Sequence, residues 1–202
     1  MNTDRAVWIG ADPGGKDNFG LAILQDDGTA LTWCVGCADE ATKLVQEYAK
    51  PGGPDGVGVD APLWWSSGPS SDRRADQWLR KRYGLSGGQV QTVNSLRGAA
   101  LAQGMIFVQR MREAFPAVPV TETHPNALLK ALKLDAAEFY GRYSVKANQG
   151  VKHEFDAVVS AVAAREGFCG RWRHDLSKNR GPSEQDPLTF WLSPINYLWP
   201  EA

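Results

Sequence analysis

The stretch that most constrains this chain is residues 7–24, VWIGADPGGKDNFGLAIL. Val7, Trp8 and Ile9 make a continuous apolar run, the pattern of a strand buried on both faces. Asp12 stands where that run ends. Pro13, Gly14 and Gly15 then turn the chain, and Phe19, Leu21, Ile23 and Leu24 open a second strand. A carboxylate at the end of a buried strand needs a partner, because an unpaired buried charge is very costly. Asp12 therefore either caps the turn or binds a cation or ligand. Taken alone, Asp before Pro-Gly is common turn chemistry.

Gly10 to Lys16 has the G-x-x-x-x-G-K spacing of a phosphate-binding loop. That loop requires Ser or Thr next and a helix after it. Here Asp17 follows, and residues 18–24 read as strand. Asp12 would also lie inside the cradle and repel phosphate, so the match is set aside.

Residues 29–35 follow the turn Asp26-Asp27-Gly28, so residues 7–35 predict three antiparallel strands joined by tight turns. Residues 38–49 predict a helix with Leu44, Val45 and Tyr48 on one side. Val57-Gly58-Val59 predicts a short strand, and an acid, Asp60, follows it directly. This strand is expected parallel to residues 7–11 and beside them, with the 38–49 helix as the crossover. A loop containing Trp64 and Trp65 leads to a basic helix over 72–83, carrying Arg73, Arg74, Arg80, Lys81 and Arg82. The bland reading of this cluster is a solvated helix face. The alternative is a phosphate-contacting patch with aromatic rings for stacking.

Asn94 or Ser95 is a candidate cap for a long helix running to about residue 115. Residues 118–121 predict a strand, with Glu122 as the third acid at the end of a short apolar run and His124 close behind. Pro125 suits the first turn of a helix over 126–134, and a further helix is expected over 135–146. Residues 151–165 predict a helix whose buried stripe is Phe155, Val158, Val159 and Val162. Asp156 borders that stripe, with His153 one turn before it. Residues 167–186 read as irregular, and residues 190–199, FWLSPINYLW, as an apolar tail that packs back on the body. The expectation is one α/β domain over 1–202: a mixed sheet flanked by helices, with a helical insertion at about 64–116 and a C-terminal tail from about 167 to 202.

The 202 residues are enough for one sizeable core, and 43% hydrophobic with 22% charged content is ordinary for a globular protein. The net charge of −1 provides no global basic field, which counts mildly against non-specific nucleic-acid binding but leaves room for a local basic patch. No secretory apolar region opens the chain and no run is long enough to span a membrane, so a cytoplasmic location is expected. Cys34 and Cys37 have C-x-x-C spacing. Zinc would need further ligands from Cys169 or the three His, and a redox pair would open a helix, so ordinary buried thiols are expected.

Asp12, Asp60 and Glu122 each end a strand, and Asp156 lies on a late helix. Neighbouring strands sit about 4.8 Å apart, so a suitable topology brings their ends together. Clustered carboxylates repel and raise one another's pKa values, and a divalent cation relieves this. Hard Mg²⁺ or Mn²⁺ suits such oxygen ligands.

Four blocks resemble a known family. IGADPGGKDNFGLAIL is similar to the first hairpin of RuvC-type resolvases, which have a ribonuclease H-like fold. HEFDAVVSAVA is similar to their final helix, where an acid follows a His by three residues. Together with VGVDAPL, TETHPNALLKAL and HEFDAVVSAVAAR, the chain resembles domain-of-unknown-function family 429, a family of predicted nucleases, in blocks over residues 7–165. Glu154 and Asp156 stand two apart, not three as in RuvC-type proteins, and helical geometry favours Asp156 as the ligand.

The resemblance implies two-metal phosphodiester hydrolysis on a nucleic acid, with Mg²⁺ or Mn²⁺ as cofactor. Asp12 would bridge the ions, Asp60 and Asp156 would complete their shells, and Glu122 would be a further ligand. His153 or His124 would shuttle a proton, and Lys16 would contact the scissile phosphate. Arg73, Arg74, Trp64 and His124 are the expected substrate contacts. Two alternatives stay open: an actin-like ATP-binding phosphotransferase, and a non-catalytic interaction protein of the same fold.

Overall fold

The first hairpin forms as its pattern dictates. Strand β1 (Val7–Asp12) is buried at every residue, and β2 (Phe19–Gln25) at all but its last. β3 (Ala30–Val35) pairs antiparallel with β2, and β2 with β1. Helix α1 (Ala38–Tyr48) then crosses over to β4 (Gly56–Val59), which lies parallel to β1. The computed structural model describes residues 5–68, 72–93, 98–147, 150–191 and 193–200.

The later elements are α2 (Arg74–Tyr83), α3 (Gly98–Ala114), β5 (Val120–Glu122), α4 (Pro125–Leu132), α5 (Ala136–Arg142) and α6 (Lys152–Phe168). After them come β6 (His174–Asp175), a 3-10 turn (Leu176–Lys178), α7 (Pro187–Trp191), β7 (Ile195–Asn196) and β8 (Leu198–Trp199). The expected cap residues of the long helix, Asn94 and Ser95, lie outside the described residues. The six-stranded sheet has the order β3-β2-β1-β4-β5-β7, with β4, β5 and β7 parallel to β1. The fold is therefore α/β, with a mixed sheet that is antiparallel and then parallel, flanked by helices. Among the described residues, no helix is long and apolar enough to cross a membrane.

α6 lies against one face of the sheet, and the contact is backbone-close. A Cβ on Gly10 would stand 1.8 Å from the Ala157 carbonyl oxygen. One on Gly58 would stand 2.1 Å from that of Ser160, and one on Gly20 2.0 Å from that of His153. The sheet-facing side of α6 is thus its small residues, not the expected Phe155/Val158/Val159/Val162 stripe. Those valines are buried too, while Phe155 is half-buried and meets the rings of Phe139 and Tyr140 at 6.3 and 5.6 Å. A helix covered on all sides needs no polar stripe. α1 and α3 cover the opposite face, where Phe19 meets Phe107 edge-on at 5.4 Å.

The segment expected to be irregular, 167–186, is tied down. β6 pairs antiparallel with β8, and the buried Asp175 carboxylate accepts hydrogen bonds from Ser177 N, Ser177 Oγ, Asn196 Nδ2 and Tyr197 N at 2.8–3.1 Å. The apolar tail packs back as its composition requires, and it also supplies edge strand β7. Tyr197 and Trp199 are buried, while Phe190 stays exposed. The cysteines correct an expectation: Cys34 and Cys169 are exposed and Cys37 half-buried, all as free thiols. Cys34 lies on β3, the edge strand, where a side chain can point outward.

Candidate functional site

Strand alternation decides which acids can meet, because side chains two apart share a face of the sheet. Gly10 and Gly58 face α6, so Asp12 and Asp60, two residues on from each, face α6 as well. The Asp60 N–H continues the ladder by donating to the Ala11 carbonyl at 2.9 Å. Asp156 is four residues before Ser160 on α6, above the same strands. Asp12, Asp60 and Asp156 therefore converge where the N-terminal end of α6 meets the C-terminal ends of β1 and β4. The carboxyl of Asp60 is held well above the usual range, first by burial and then by Asp12 and Asp156. That of Asp12 is raised to about 6 by burial, against the opposing hydrogen bond of His153.

Glu122 belongs to a different group. It registers with Val59, one position before Asp60, and so points away from α6. Thr123, the next residue, faces α6 and hydrogen-bonds Ser160 Oγ at 2.7 Å. On the far face Arg73 holds Glu122 with two parallel bonds, Nη2 to Oε1 at 2.6 Å and Nη1 to Oε2 at 2.8 Å. The Leu63 N–H adds a bond to Oε2 at 2.9 Å. Arg73 also clasps Asp76 with two bonds of 2.8 Å. Burial pushes the Glu122 carboxyl up, and the guanidinium pulls it back. Arg73 is only 1% exposed. The expected roles of Glu122 as a metal ligand and of Arg73 as a substrate contact therefore do not fit this geometry, since Arg73 and the Leu63 N–H engage Glu122, and Glu122 and Asp76 between them engage Arg73.

The remaining candidates divide. His153 stands over Asp12, with Nδ1 2.6 Å from Oδ2. His124 is the residue before α4 and lines the cleft; burial lowers its pKa to about 4, so it is neutral near pH 7. Its Nδ1 is buried without a partner. Trp64 is buried beneath the Arg73 guanidinium, which lies 4.2 Å from the ring centroid, and its Nε1 donates to Glu184 at 2.9 Å. Arg74 is exposed and lines a separate groove with Lys81, Trp78, Leu176 and Asn179. Lys16 is exposed in the β1–β2 turn and does not line the cleft.

That cleft, of about 520 Å³, runs from Asp12, Asp60 and Lys152 past Arg73, Asp76 and Glu122 to Gln89, Gln91 and His124. Its lining holds four carboxylates against two cations. Sequence reasoning missed Lys152, whose ammonium ion-pairs with Asp156 and acts also on Asp12 and Asp60. The i, i+4 spacing of Lys152 and Asp156 on one helix was the available signal.

Among the described residues, no group of three or more His, Cys, Asp or Glu side chains stands ready-made to hold a metal ion. The donor chemistry nevertheless fits a hard cation. Three carboxylates share one corner, and among the described residues the carboxylate of Asp60 accepts no hydrogen bond, while the Lys152 ammonium acts on it. In comparisons with protein-family models, with curated proteins and with solved structures, the chain matches none.

Proposed function

We propose that this protein has a ribonuclease H-like fold and is a metal-dependent nuclease that hydrolyses phosphodiester bonds through Asp12, Asp60 and Asp156. One observation carries the reading: acids from two parallel neighbouring strands and from the covering helix converge on one side of the sheet, at one end of an open cleft. Three antiparallel strands followed by parallel ones support the fold. Carboxylates placed by rigid elements at raised pKa are a recurrent mark of a functional corner.

Asp12, Asp60 and Asp156 would hold Mg²⁺ or Mn²⁺, which would supply a Lewis acid and make a bound water easier to deprotonate to the attacking hydroxide. Among the described residues, no hydrogen bond reaches the Asp60 carboxylate. His153 fixes the orientation of Asp12 through Nδ1, which leaves Nε2 as the nitrogen able to exchange a proton. Glu122 is not a ligand in this reading. Together with Arg73 and Asp76 it forms the rigid wall behind the cleft.

The test is cleavage of labelled single- and double-stranded DNA and RNA with Mg²⁺ or Mn²⁺. The wild type should cut at least one of them, and Asp60→Asn should fall to the level of a protein-free control. Failure of the wild type on every substrate with both metals refutes the reading. Equal cutting by Asp60→Asn would trace the activity to a contaminant.

A further inference from the structure

Lys152 is placed where its own helix disfavours it. It is the first residue of α6, and a helix N-terminus carries partial positive charge that repels a cation. The carboxylates hold it there. Its ammonium binds Asp156 Oδ2, and Asp12 and Asp60 add further attraction. The side chain of Asp156 is 4% exposed, whereas that of Lys152 is 65% exposed. The charged head thus reaches into the acidic corner on a side chain that is largely exposed. Among the described residues, no other lysine or arginine ion-pairs with Asp12, Asp60 or Asp156. Arg73 marks the contrast: its side chain is 2% exposed and four hydrogen bonds tie it to two acids.

We propose that Lys152 is a tethered counter-cation that balances the acidic corner when no divalent ion is bound and gives up Asp156 when one enters. This rests on the metal-binding reading of the site. An ammonium and a divalent cation repel, so a metal ion on the Asp156 carboxylate disfavours the Lys152 ammonium beside it. The freed ammonium, at the lip of the cleft, is then available to an anionic oxygen of the substrate. Lys152 therefore weakens metal binding in exchange for stabilising the metal-free protein, and it couples metal entry to the arrival of positive charge at the lip.

The experiment is calorimetric titration of Mn²⁺, without substrate, into wild type, Lys152→Met and Lys152→Arg, with Asp60→Asn as the control that assigns the heat to this corner. Lys152→Met should bind Mn²⁺ on the order of tenfold more tightly, equivalent to about 1.4 kcal/mol. Lys152→Arg, which keeps the charge, should behave as wild type. Metal-free Lys152→Met should also melt below wild type, with saturating Mn²⁺ closing that gap. Lys152→Gln repeats the test with a polar neutral side chain should Lys152→Met fail to fold. A lysine with a purely structural role would lower the melting temperature and leave Mn²⁺ affinity unchanged; that result overturns the proposal while the metal reading stands. Equal tightening by Lys152→Arg would overturn it as well, because charge would not be the cause. Absence of Mn²⁺ binding in wild type and Lys152→Met alike refutes the metal reading and the proposal with it.

Discussion

Arg73→Met should destabilise the protein more at neutral than at acidic pH. The substitution keeps an apolar stem of similar length and removes the guanidinium. Glu122, 2% exposed, and Asp76, 1% exposed, then lose four hydrogen bonds and, among the described residues, their only ion-pair partner. Glu122 keeps a single bond, from the Leu63 N–H. Breaking a buried ion pair by removing one partner costs about 3–5 kcal/mol, a large share of the roughly 5–15 kcal/mol that holds a domain folded. The pH sign follows from Glu122. Burial already raises its pKa in the wild type and Arg73 opposes that shift, so without Arg73 the carboxyl titrates well above its unfolded-state value. The folded variant then holds a proton that the unfolded chain releases. Its stability is fully present below the unfolded pKa of about 4.3 and declines as pH rises through the folded value. Urea unfolding followed by tryptophan fluorescence, at about pH 5 and about pH 7.5, should show a smaller deficit against wild type at the lower pH. A loss below about 1 kcal/mol at neutral pH, or a deficit independent of pH, would mean that water reaches these carboxylates and that the triad is not sealed.

The other predictions concern the opposite face. Asp12 and Asp60 have raised pKa values in the folded state, so whatever stability their protonated forms lend is lost as pH rises, for Asp12 between about 4 and about 6. Asp60→Asn should therefore raise the melting temperature near about pH 8 and change it little near about pH 4; a uniform fall would mark Asp60 as a structural cap. Asp12→Asn should abolish cleavage and leave the circular dichroism spectrum intact, whereas loss of the native spectrum would assign Asp12 to the turn. Gly10→Ala should cost at least about 1–3 kcal/mol, because its Cβ would stand 1.8 Å from a helix carbonyl. Gly15→Ala, where no atom lies within 4 Å, is the control. Equal urea midpoints for the two variants would refute the close approach of α6.

The sheet was legible because each strand carried its own signal: apolar runs, tight turns, and a helix of the right length between β1 and β4. The convergence of Asp12, Asp60 and Asp156 was inferable for a related reason, since parallel neighbours end at the same edge. Glu122 misled because an acid at the end of a strand says nothing about which face it points to. That depends on register, and one step moves a side chain through the sheet. Arg73 misled for the complementary reason. A run of basic residues reads as a surface, and only the three-residue offset to Asp76 hinted at a buried partner. On α6 the valines drew attention as the apolar stripe, yet the alanines and serine face the sheet, because opposing glycines allow backbone contact there. Asp175 ties Ser177 to Asn196 and Tyr197 through hydrogen bonds from main-chain and side-chain donors, which leave no periodic trace.

The two acidic groups line one cleft at the C-terminal edge of the sheet, and the way each is neutralised separates their roles. Glu122 and Asp76 are balanced by a guanidinium that is buried and held at four points, so removing it leaves two buried carboxylates without their ion-pair partner. Such a triad fixes geometry and cannot take part in exchange. Among the described residues, Asp12 meets the His153 imidazole, and the ammonium ion-paired in this corner is that of the exposed Lys152, joined to Asp156. That balance is reversible: the lysine can swing into solvent, where its charge is cheaply hydrated, and another cation can take its place. Screening gives a further check on this contrast. Salt weakens interactions between solvent-exposed charges far more than between buried ones, so raising ionic strength should loosen the Lys152 side and leave the Arg73 side untouched. In a salt series, the stability difference between wild type and Lys152→Met should shrink while that between wild type and Arg73→Met holds constant. Parallel loss of both differences would refute the distinction between a fixed wall and an exchangeable site.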